Sequence, residues 1–316
     1  MKTPTYWKSK NLLSLALYPL GCLYGLATLL RMSLKKAKRV EAKVICIGNL
    51  TAGGTGKTPV SVSLAKLLQQ NGQKPIFVSR GYGGRLKDIV VNPYKHTAIE
   101  VGDEPLLLAR QAPVVINPNR YLGALLAQQE GADYIIMDDG FQNPSLYKDK
   151  SIIVIDGNVG LGNGFCIPAG PLREFTSLGI KRAQAIAIIG DDKYNLASKF
   201  KNIPIFKGKI NAVSASPLTY DVVAFAGIGR PDKFYNSLTE YGFNIVAHKD
   251  FPDHHFYSEQ ELEDILALGK QHKAPVYTTA KDFVKIPPHL QSKFKVLEIE
   301  IEWENPAEIL NFLLTI

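Results

Sequence analysis

Lys43–Thr58 reads KVICIGNLTAGGTGKT, an apolar run that enters a glycine-rich loop ending in Gly-Lys-Thr. Glycines let backbone N–H groups curl around phosphate oxygens, and a helix that follows adds the favourable end of its dipole. Gly56-Lys57-Thr58 matches the end of the phosphate-loop pattern, although Thr51 stands where that pattern begins with glycine. We therefore predict a strand, a phosphate-binding loop and a helix, in this order.

The residue types in this loop suit a nucleoside triphosphate with Mg²⁺. Lys57 would reach the β- and γ-phosphates, and the hydroxyl of Thr58 would bind the metal. The competing interpretation is a glycine-rich turn that contains a lysine by chance. The residues predicted to contact the nucleotide are Thr51, Ala52, Gly53, Gly54, Thr55, Gly56, Lys57 and Thr58.

A second stretch, DYIIMDDGFQ at 133–142, supplies a partner for the loop. Its apolar run Tyr134–Met137 ends in Asp138 and Asp139. Two carboxylates at a strand end suit Mg²⁺, which they would bind directly or through water. The alternative is a solvated turn after a strand. Asp139 is also a candidate to accept a proton.

Short apolar runs alternate with helical patterns from Lys43 onward, which predicts an α/β fold with a mostly parallel sheet and helices on both faces. A smaller α/β lobe begins near Tyr220, and Ser258 with Glu261 three residues later predicts a capping box. The predicted units are 1–40, 41–215 and 216–316. The predicted strands of the larger unit are Val44–Ile47, Pro75–Ser79, Val114–Ile116, Tyr134–Met137, Ile152–Ile155 and Ala185–Ile189, and the clearest helices are Pro59–Gln70 and Arg120–Glu130.

The first unit contains an uncharged stretch, Asn11–Leu30, with basic residues on both sides. It is long enough to span a bilayer as a helix. Four interpretations stay open: a cleaved signal peptide, a single span, a helix lying in one leaflet, and a buried core helix. We expect a membrane-associated helix, with its lysines and arginines on an anionic surface.

Composition narrows the class of protein. Apolar residues make up 46% of the 316, which is typical of an ordered globular protein. The formal net charge of +8 favours anionic partners without choosing among them. The three cysteines, Cys22, Cys46 and Cys166, have no metal or redox spacing, which fits a reducing compartment.

The motifs, taken together and in order, resemble the tetraacyldisaccharide 4′-kinase family over nearly the whole chain. They are GNLTAGGTGKTP (48–59), SRGYGG (79–84), GDEP (102–105), NPNR (117–120), DDGFQ (138–142), PAGPLRE (168–174), FAGIGRP (225–231), FPDHH (251–255) and TTAKDFVK (278–285).

The resemblance implies a kinase that transfers the γ-phosphate of ATP, with Mg²⁺, to the 4′-hydroxyl of a tetraacylated glucosamine disaccharide 1-phosphate. It also implies an enzyme at the cytoplasmic face of the bacterial inner membrane, without nucleic-acid partners. We expect a monomer.

A sugar hydroxyl is a poor nucleophile, so a nearby base assists the transfer. The resemblance gives this role to Asp103, with His254 of the second lobe beside it. Considered alone, Asp103 would be an N-cap for the helix that follows. The sequence DHH could also indicate a metal site, and His255 is an alternative to His254.

Further site residues follow from the same motifs. Glu104 is a candidate for the metal or for support of the base, and arginines are expected to grip phosphates through forked donors. Asn143 departs from the family, because many members have histidine there. The predicted substrate-binding residues are Arg80, Tyr82, Asn119, Arg120, Gln142, Arg173 and Glu174.

Two other classes of protein remain in competition. A regulatory nucleoside triphosphatase would hydrolyse nucleotide without a phosphorylated product, but its guanine-reading motif is poorly matched by TAKD at 279–282. A basic nucleic-acid-binding protein would explain the charge, but no aromatic and basic recognition motif appears.

Overall fold

The computed structural model describes residues 4–213 and 220–315. Two sheets are present in this part of the chain. The larger contains β1 (Lys43–Gly48), β2 (Pro75–Ser79), β3 (Ile89–Val90), β4 (Val114–Ile116), β5 (Tyr134–Asp138), β6 (Lys150–Asp156), β7 (Ala185–Ile189), β8 (Ile205–Ala212) and β13 (Ile299–Trp303). The smaller contains β9 (Asp221–Ala226), β10 (Asn244–Asp250), β11 (Val276–Thr279) and β12 (Lys295–Leu297).

The helices of the larger part precede and separate these strands. They are α1 (Leu12–Ala16), α2 (Tyr18–Leu34), α3 (Lys57–Gln70), α4 (Ala98–Val101), α5 (Asp103–Leu108), α6 (Arg120–Gln129), α7 (Thr176–Arg182) and α8 (Leu196–Lys199). The helices that follow are α9 (Pro231–Glu240), α10 (Glu259–His272), α11 (Ala280–Phe283), α12 (Pro288–Gln291) and α13 (Pro306–Leu314).

The larger sheet has the order β13-β8-β7-β6-β1-β5-β2-β4-β3. Its pairs are parallel except β13 with β8 and β3 with β4. Ile47 of β1 pairs with Asp138 of β5, so the phosphate loop and the acidic pair leave the sheet at the same edge. The six predicted strands all occur and the predicted α/β class is confirmed.

The apolar runs are continuous because both faces of the sheet are covered. Alternate residues of β1 enter two cores: Ile45 and Ile47 pack with α3, whereas Val44 and Cys46 pack on the side of α6. All four are essentially unexposed. Burial of this kind is typical of parallel strands between two helical layers.

The smaller sheet has the order β10-β9-β11-β12 and is entirely parallel. Phe225 lies at its centre, in edge contact with Phe251 and Tyr257. The predicted capping box is confirmed: the Ser258 hydroxyl accepts the backbone N–H of Glu261, whose carboxylate accepts the N–H of Ser258. This box fixes where α10 begins.

The C-terminal segment returns to the larger sheet, which differs from the predicted lobe at 216–316. β13 pairs with β8, with Ile301 opposite Ile210, and Ile309 and Leu313 of α13 are buried in the core with residues of α3. Along the chain, β12 is therefore the last strand of the smaller sheet. The predicted boundary between 215 and 216 lies outside the described residues.

The uncharged N-terminal stretch forms α1 and α2. Gly21 and Gly25 face the protein so closely that a Cβ at Gly25 would come 2.6 Å from the Phe175 ring. The opposite side of α2 exposes Leu20, Leu23, Leu26 and Leu30.

Within 4–213 and 220–315, no helix combines the length and the apolar character that crossing a membrane requires.

Candidate active site

The phosphate loop joins β1 to α3 and is shaped by glycines. Gly56 precedes α3 with φ +87°, and Gly53 has φ +116°, conformations that favour glycine. A Cβ on Gly53 or Gly54 would meet nothing within 4 Å, so the backbone there faces open space. Asn49 supports the loop from below by donating to the Thr51 carbonyl and the Thr55 hydroxyl.

The segment that contains PAGPLRE lies along the same loop. The Ala52 N–H donates to the Pro171 carbonyl at 2.7 Å, and the Arg173 N–H donates to the Leu50 carbonyl at 2.7 Å. These bonds hold one side of the loop and bring Arg173 to the edge of the sheet.

Asp138 receives two hydroxyl groups from the first turns of α3. Thr58 Oγ1 and Ser61 Oγ donate to its two carboxylate oxygens, each at 3.0 Å. Burial, followed by the charges of Glu104 and Asp139, raises the pKa of Asp138 to about 6. A nearby cation would stabilise the ionised form of Asp138, because its charge would offset the cost of burying the carboxylate.

Asp139 lies between two cations. Its Oδ1 is 3.6 Å from Lys57 Nζ and 2.9 Å from Arg173 Nη1. Burial acts to raise the pKa of Asp139, but these two cations hold it below its usual value. Asp139 has φ +55°, a backbone conformation that is strained for a residue other than glycine.

Asp103 of α5 and His254, in the loop that follows β10 of the smaller sheet, are in direct contact. His254 Nδ1 lies 2.9 Å from Asp103 Oδ2, and Asp103 Oδ1 accepts the N–H of Glu104. Asp103 is the first residue of α5 and Gly102 is its N-cap, so the simple N-cap interpretation of Asp103 is wrong. The hydrogen bond to Asp103 raises the pKa of His254 against the opposing effect of burial.

His255 has a different environment from His254. Its Nε2 is 3.1 Å from both carboxylate oxygens of Glu261, and its ring stacks on Phe251. His255 thus belongs to the loop before α10. The backbone of His254 has φ +61°, which turns its ring toward Asp103.

Tyr82 and Arg80 extend the site on the side of β2. The Tyr82 ring packs edge-on against His254 with centroids 5.7 Å apart, and its exposed fraction is 70%. The loop is held by Lys87, which donates to the carbonyls of Gly81 and Gly84. Arg80 is exposed at the same edge.

Asn119 and Arg120 lie at the start of α6. The Asn119 side chain caps the helix by accepting the Tyr121 N–H, so this amide is already engaged. Arg120 is only 3% exposed; burial, and then the charge of Arg80, lowers its pKa to about 10. Its Nε is buried without a hydrogen-bond partner among the described residues, which leaves it a donor for an anion.

Gln142 and Glu174 face the interior and connect the N-terminal helix to the phosphate loop. Gln142 Nε2 donates to the Asn49 carbonyl and to Glu174 Oε1, each at 2.9 Å. Glu174 also pairs with Arg182 at 2.6 Å, and Arg31 of α2 donates to the Gln142 carbonyl. Both predicted substrate residues therefore form a support beneath the loop.

The structure also shows residues that sequence reasoning missed. Ser61 and Asn49 are two of them. Lys281 is a third, and its Nζ lies 3.3 Å from Glu104 Oε1 across the cleft. Its signal was the motif TTAKDFVK, which is one of the motifs of the family resemblance but was given no role for its lysine. Asn143, the departure from the family, folds a local turn by accepting from Ser145.

No cluster of three or more His, Cys, Asp or Glu side chains in residues 4–213 and 220–315 is arranged to hold a metal alone. The DHH metal interpretation therefore has no support in this part of the chain. Mg²⁺ usually takes one or two carboxylates and completes its shell with water and substrate phosphates. Thr58 and Asp138 fit that donor set, whereas Glu104 is paired with Lys281.

Comparison with known proteins gives a consistent result. A family model described as tetraacyldisaccharide-1-P 4′-kinase matches residues 13–316. Tetraacyldisaccharide 4′-kinase of Paramagnetospirillum magneticum is 43% identical over 314 residues, which cover 97% of this chain and 96% of the relative. The enzyme of the same name from Rhodospirillum rubrum is 40% identical, with coverage of 97% and 95%.

The solved structures include a full-length match. The crystal structure of LpxK from Aquifex aeolicus in complex with ATP aligns with a TM-score of 0.77 and 28% identity, over 96% of this chain and 98% of that one.

Proposed function

The chain belongs to the tetraacyldisaccharide-1-P 4′-kinase family, and from this membership we propose how its own residues carry out the reaction. The protein is a tetraacyldisaccharide 4′-kinase, which transfers the γ-phosphate of ATP to the 4′-hydroxyl of the lipid disaccharide 1-phosphate. The observation that carries the assignment of roles is the 2.9 Å contact between His254 and Asp103 at the edge where the phosphate loop also ends.

Nucleotide binding is assigned to Thr51–Thr58. Loop N–H groups and Lys57 would surround the phosphates, and Lys57 would leave Asp139 for them. Mg²⁺, when bound, would neutralise charge on the β- and γ-oxygens. Thr58 and Asp138 are the residues that would hold it, and Asp139 would act through water.

Asp103 is assigned as the base. The sugar hydroxyl would give its proton to Asp103 as its oxygen bonds to the γ-phosphorus, and the bond from that phosphorus to ADP would break. His254 keeps Asp103 in one orientation by donating to Oδ2, which leaves the remaining lone pairs for the hydroxyl. The lowered pKa of Asp103, for which burial is outweighed by His254 and Lys281, keeps it ionised and ready to accept.

Phosphate recognition is assigned to the arginines of the same edge. Arg120 has an unpartnered buried Nε, and Arg173 approaches the loop through Asp139. Arg80 and Tyr82 flank the dyad from the exposed side. The role of Asn119 would be to fix the start of α6. Gln142 and Glu174 would hold the phosphate loop in place.

Association with an anionic membrane is assigned to α2. The helix exposes a row of leucines and has Arg31 in its last turn, and Lys35, Lys36, Lys38 and Arg39 follow it. A leucine face with adjacent cations suits a helix that lies in the interface. The catalytic edge would then work at the cytoplasmic face of the inner membrane, where ATP is available, and the protein would act as a monomer.

The division into units is refined accordingly. Residues up to about 40 would form the membrane unit, 41–213 with 299–315 the kinase core, and 220–297 the smaller lobe that closes over the site.

The test uses γ-labelled ATP, Mg²⁺ and detergent-dispersed tetraacyldisaccharide 1-phosphate. We expect label in the lipid with the wild-type protein and its loss with Lys57→Ala. Consumption of ATP without labelled lipid would contradict the substrate and favour a nucleoside triphosphatase switch.

A further inference from the structure

The segment Thr278–Lys285 contacts both Asp103 and the loop that carries His254. Thr279 caps the short helix α11 by accepting the N–H of Asp282. The next two polar residues point in opposite directions: Lys281 faces the cleft, and Asp282 is fully buried inside the smaller lobe.

Lys281 is surrounded by three carboxylates. Its Nζ lies 3.3 Å from Glu104 Oε1, 3.8 Å from Asp103 Oδ2 and 3.8 Å from Asp253 Oδ1. Two of these carboxylates belong to α5 of the larger part and one belongs to the loop beside His254. The Lys281 side chain is only 21% exposed, so water screens these interactions weakly.

Asp282 fixes the same loop from the inside. Its Oδ2 accepts the N–H of Gly227 at 3.0 Å, and its Oδ1 accepts the Tyr257 hydroxyl at 2.9 Å. The Gly227 carbonyl in turn accepts the N–H of His254. Because His254 has φ +61°, this chain of bonds holds a backbone conformation that costs about 1 kcal/mol or more.

We propose that Lys281 is a positioning residue for phosphoryl transfer, which holds the base Asp103 against the smaller lobe in the geometry that His254 requires. This inference rests on the proposed roles of Asp103 and His254. Without the ammonium group, Asp103, Glu104 and Asp253 would face one another without the cation that contacts all three. Repulsion would then separate α5 from the His254 loop and turn the Asp103 carboxylate.

The geometry argues against a role in holding the nucleotide. Lys57 supplies the ammonium group at the phosphate loop, on the side of Asp139. Lys281 comes from the other lobe and contacts the carboxylates of α5. Loss of Lys281 should therefore slow turnover with little change in the KM for ATP.

The experiment compares Lys281→Met and Lys281→Arg with wild type in the labelled-lipid assay, with Tm as a check of folding. We expect Lys281→Met to lower kcat about 10- to 100-fold, the loss typical of a displaced reacting group, while the KM for ATP stays within about twofold. Lys281→Arg should recover most of the lost turnover, because it restores the cation. Lys270→Met, at an exposed lysine of α10, is the matched control and should match wild type.

A second variant tests whether repulsion between the carboxylates causes the loss of turnover. It also keeps the proposal testable if Lys281→Met folds poorly. Asp253→Asn removes one of the three facing charges, so in the Lys281→Met background it should restore part of both Tm and kcat. Simple additivity of the two changes would overturn the proposal.

Three other results would also overturn it. They are turnover of Lys281→Met within about twofold of wild type, no recovery with Lys281→Arg, and a defect confined to the KM for ATP. If Asp103→Asn abolishes labelling and Lys281→Met keeps turnover within about twofold of wild type, this inference fails alone. If wild type leaves the lipid unlabelled, the proposed function fails and this inference falls with it.

Discussion

The two halves of the site are built in different ways. The phosphate-loop half comes from neighbouring strands, β1 and β5, whose parallel pairing brings Thr58 to Asp138. The dyad half joins α5 of the larger part to a loop of the smaller lobe, so Asp103 and His254 are 151 positions apart in sequence. On the proposed roles, the local half would bind nucleotide whatever the smaller lobe does, whereas the base would be complete only when the two parts meet. Changes in the dyad half should therefore separate chemistry from binding.

The largest effect is expected for Asp103→Asn, which keeps the shape of the side chain and removes the base. We expect kcat to fall about 10²- to 10⁴-fold, the range for general base catalysis, with the KM for ATP nearly unchanged. Steady-state kinetics with labelled ATP measure both constants. An equal loss in ATP affinity would mean that Asp103 belongs to the nucleotide half and would break the comparison.

Lys57→Ala tests the nucleotide half. It removes a cation from developing phosphate charge, and we expect kcat to fall about 10²- to 10³-fold. Unlike Asp103→Asn, it should also weaken ATP binding, which isothermal titration measures directly. Lys66→Ala, at a partly exposed lysine of the same helix, is the control. Normal ATP affinity in Lys57→Ala would contradict the assignment.

The same contrast explains how much the sequence could reveal. The strand before the loop, the glycines and the acidic pair are local signals, so the elements of this half, β1, α3 and the acidic pair at the end of β5, could be predicted from the sequence. β13 was missed because its partner β8 lies about 90 positions earlier and only the folded chain brings Ile301 opposite Ile210. Lys281 was missed because a lysine in a short motif carries no sign of the three carboxylates that it meets.

The predicted substrate residues show a second limit. Gln142 and Glu174 are polar side chains in motif positions, yet both are engaged with Asn49 and Arg182 beneath the loop. Sequence identifies residues that matter to a site without separating those that face a ligand from those that support one. The hydrogen-bond partners make that distinction, since both carboxylate oxygens of Glu174 already accept from Gln142 and Arg182, whereas the Tyr82 side chain is 70% exposed.

Asp282→Ala tests whether the interior of the smaller lobe stabilises the dyad half. The change leaves Lys285 buried without its partner, now 2.7 Å away, and frees the Gly227 N–H. We expect the free energy of unfolding to fall by about 3–5 kcal/mol, as when one member of a buried ion pair is removed. Urea unfolding measures the loss. ATP affinity of the folded fraction should stay close to wild type, and a matching loss there would show that the halves are not independent.

The smallest effect concerns the pH dependence of the contact between the lobes. Because the Asp103 carboxylate raises the pKa of His254, the protonated ring is more stable in the folded state than in the unfolded chain. The contribution of the protonated His254 ring to the free energy of unfolding should be complete below the unfolded pKa of about 6.5. It should disappear as pH rises through the higher pKa of the folded state.

The corresponding measurement is the difference in unfolding free energy between wild type and His254→Gln at several pH values. The difference should stay below about 1 kcal/mol, since the ring is one-third exposed and water screens the pair. It should be largest near pH 5.5 and smaller at pH 8.5. Asp103→Asn removes the partner, so in that background His254→Gln should show no such trend. A difference that grows with pH would mean that the folded protein favours the neutral ring, and the charge assignment of the dyad would have to be reversed.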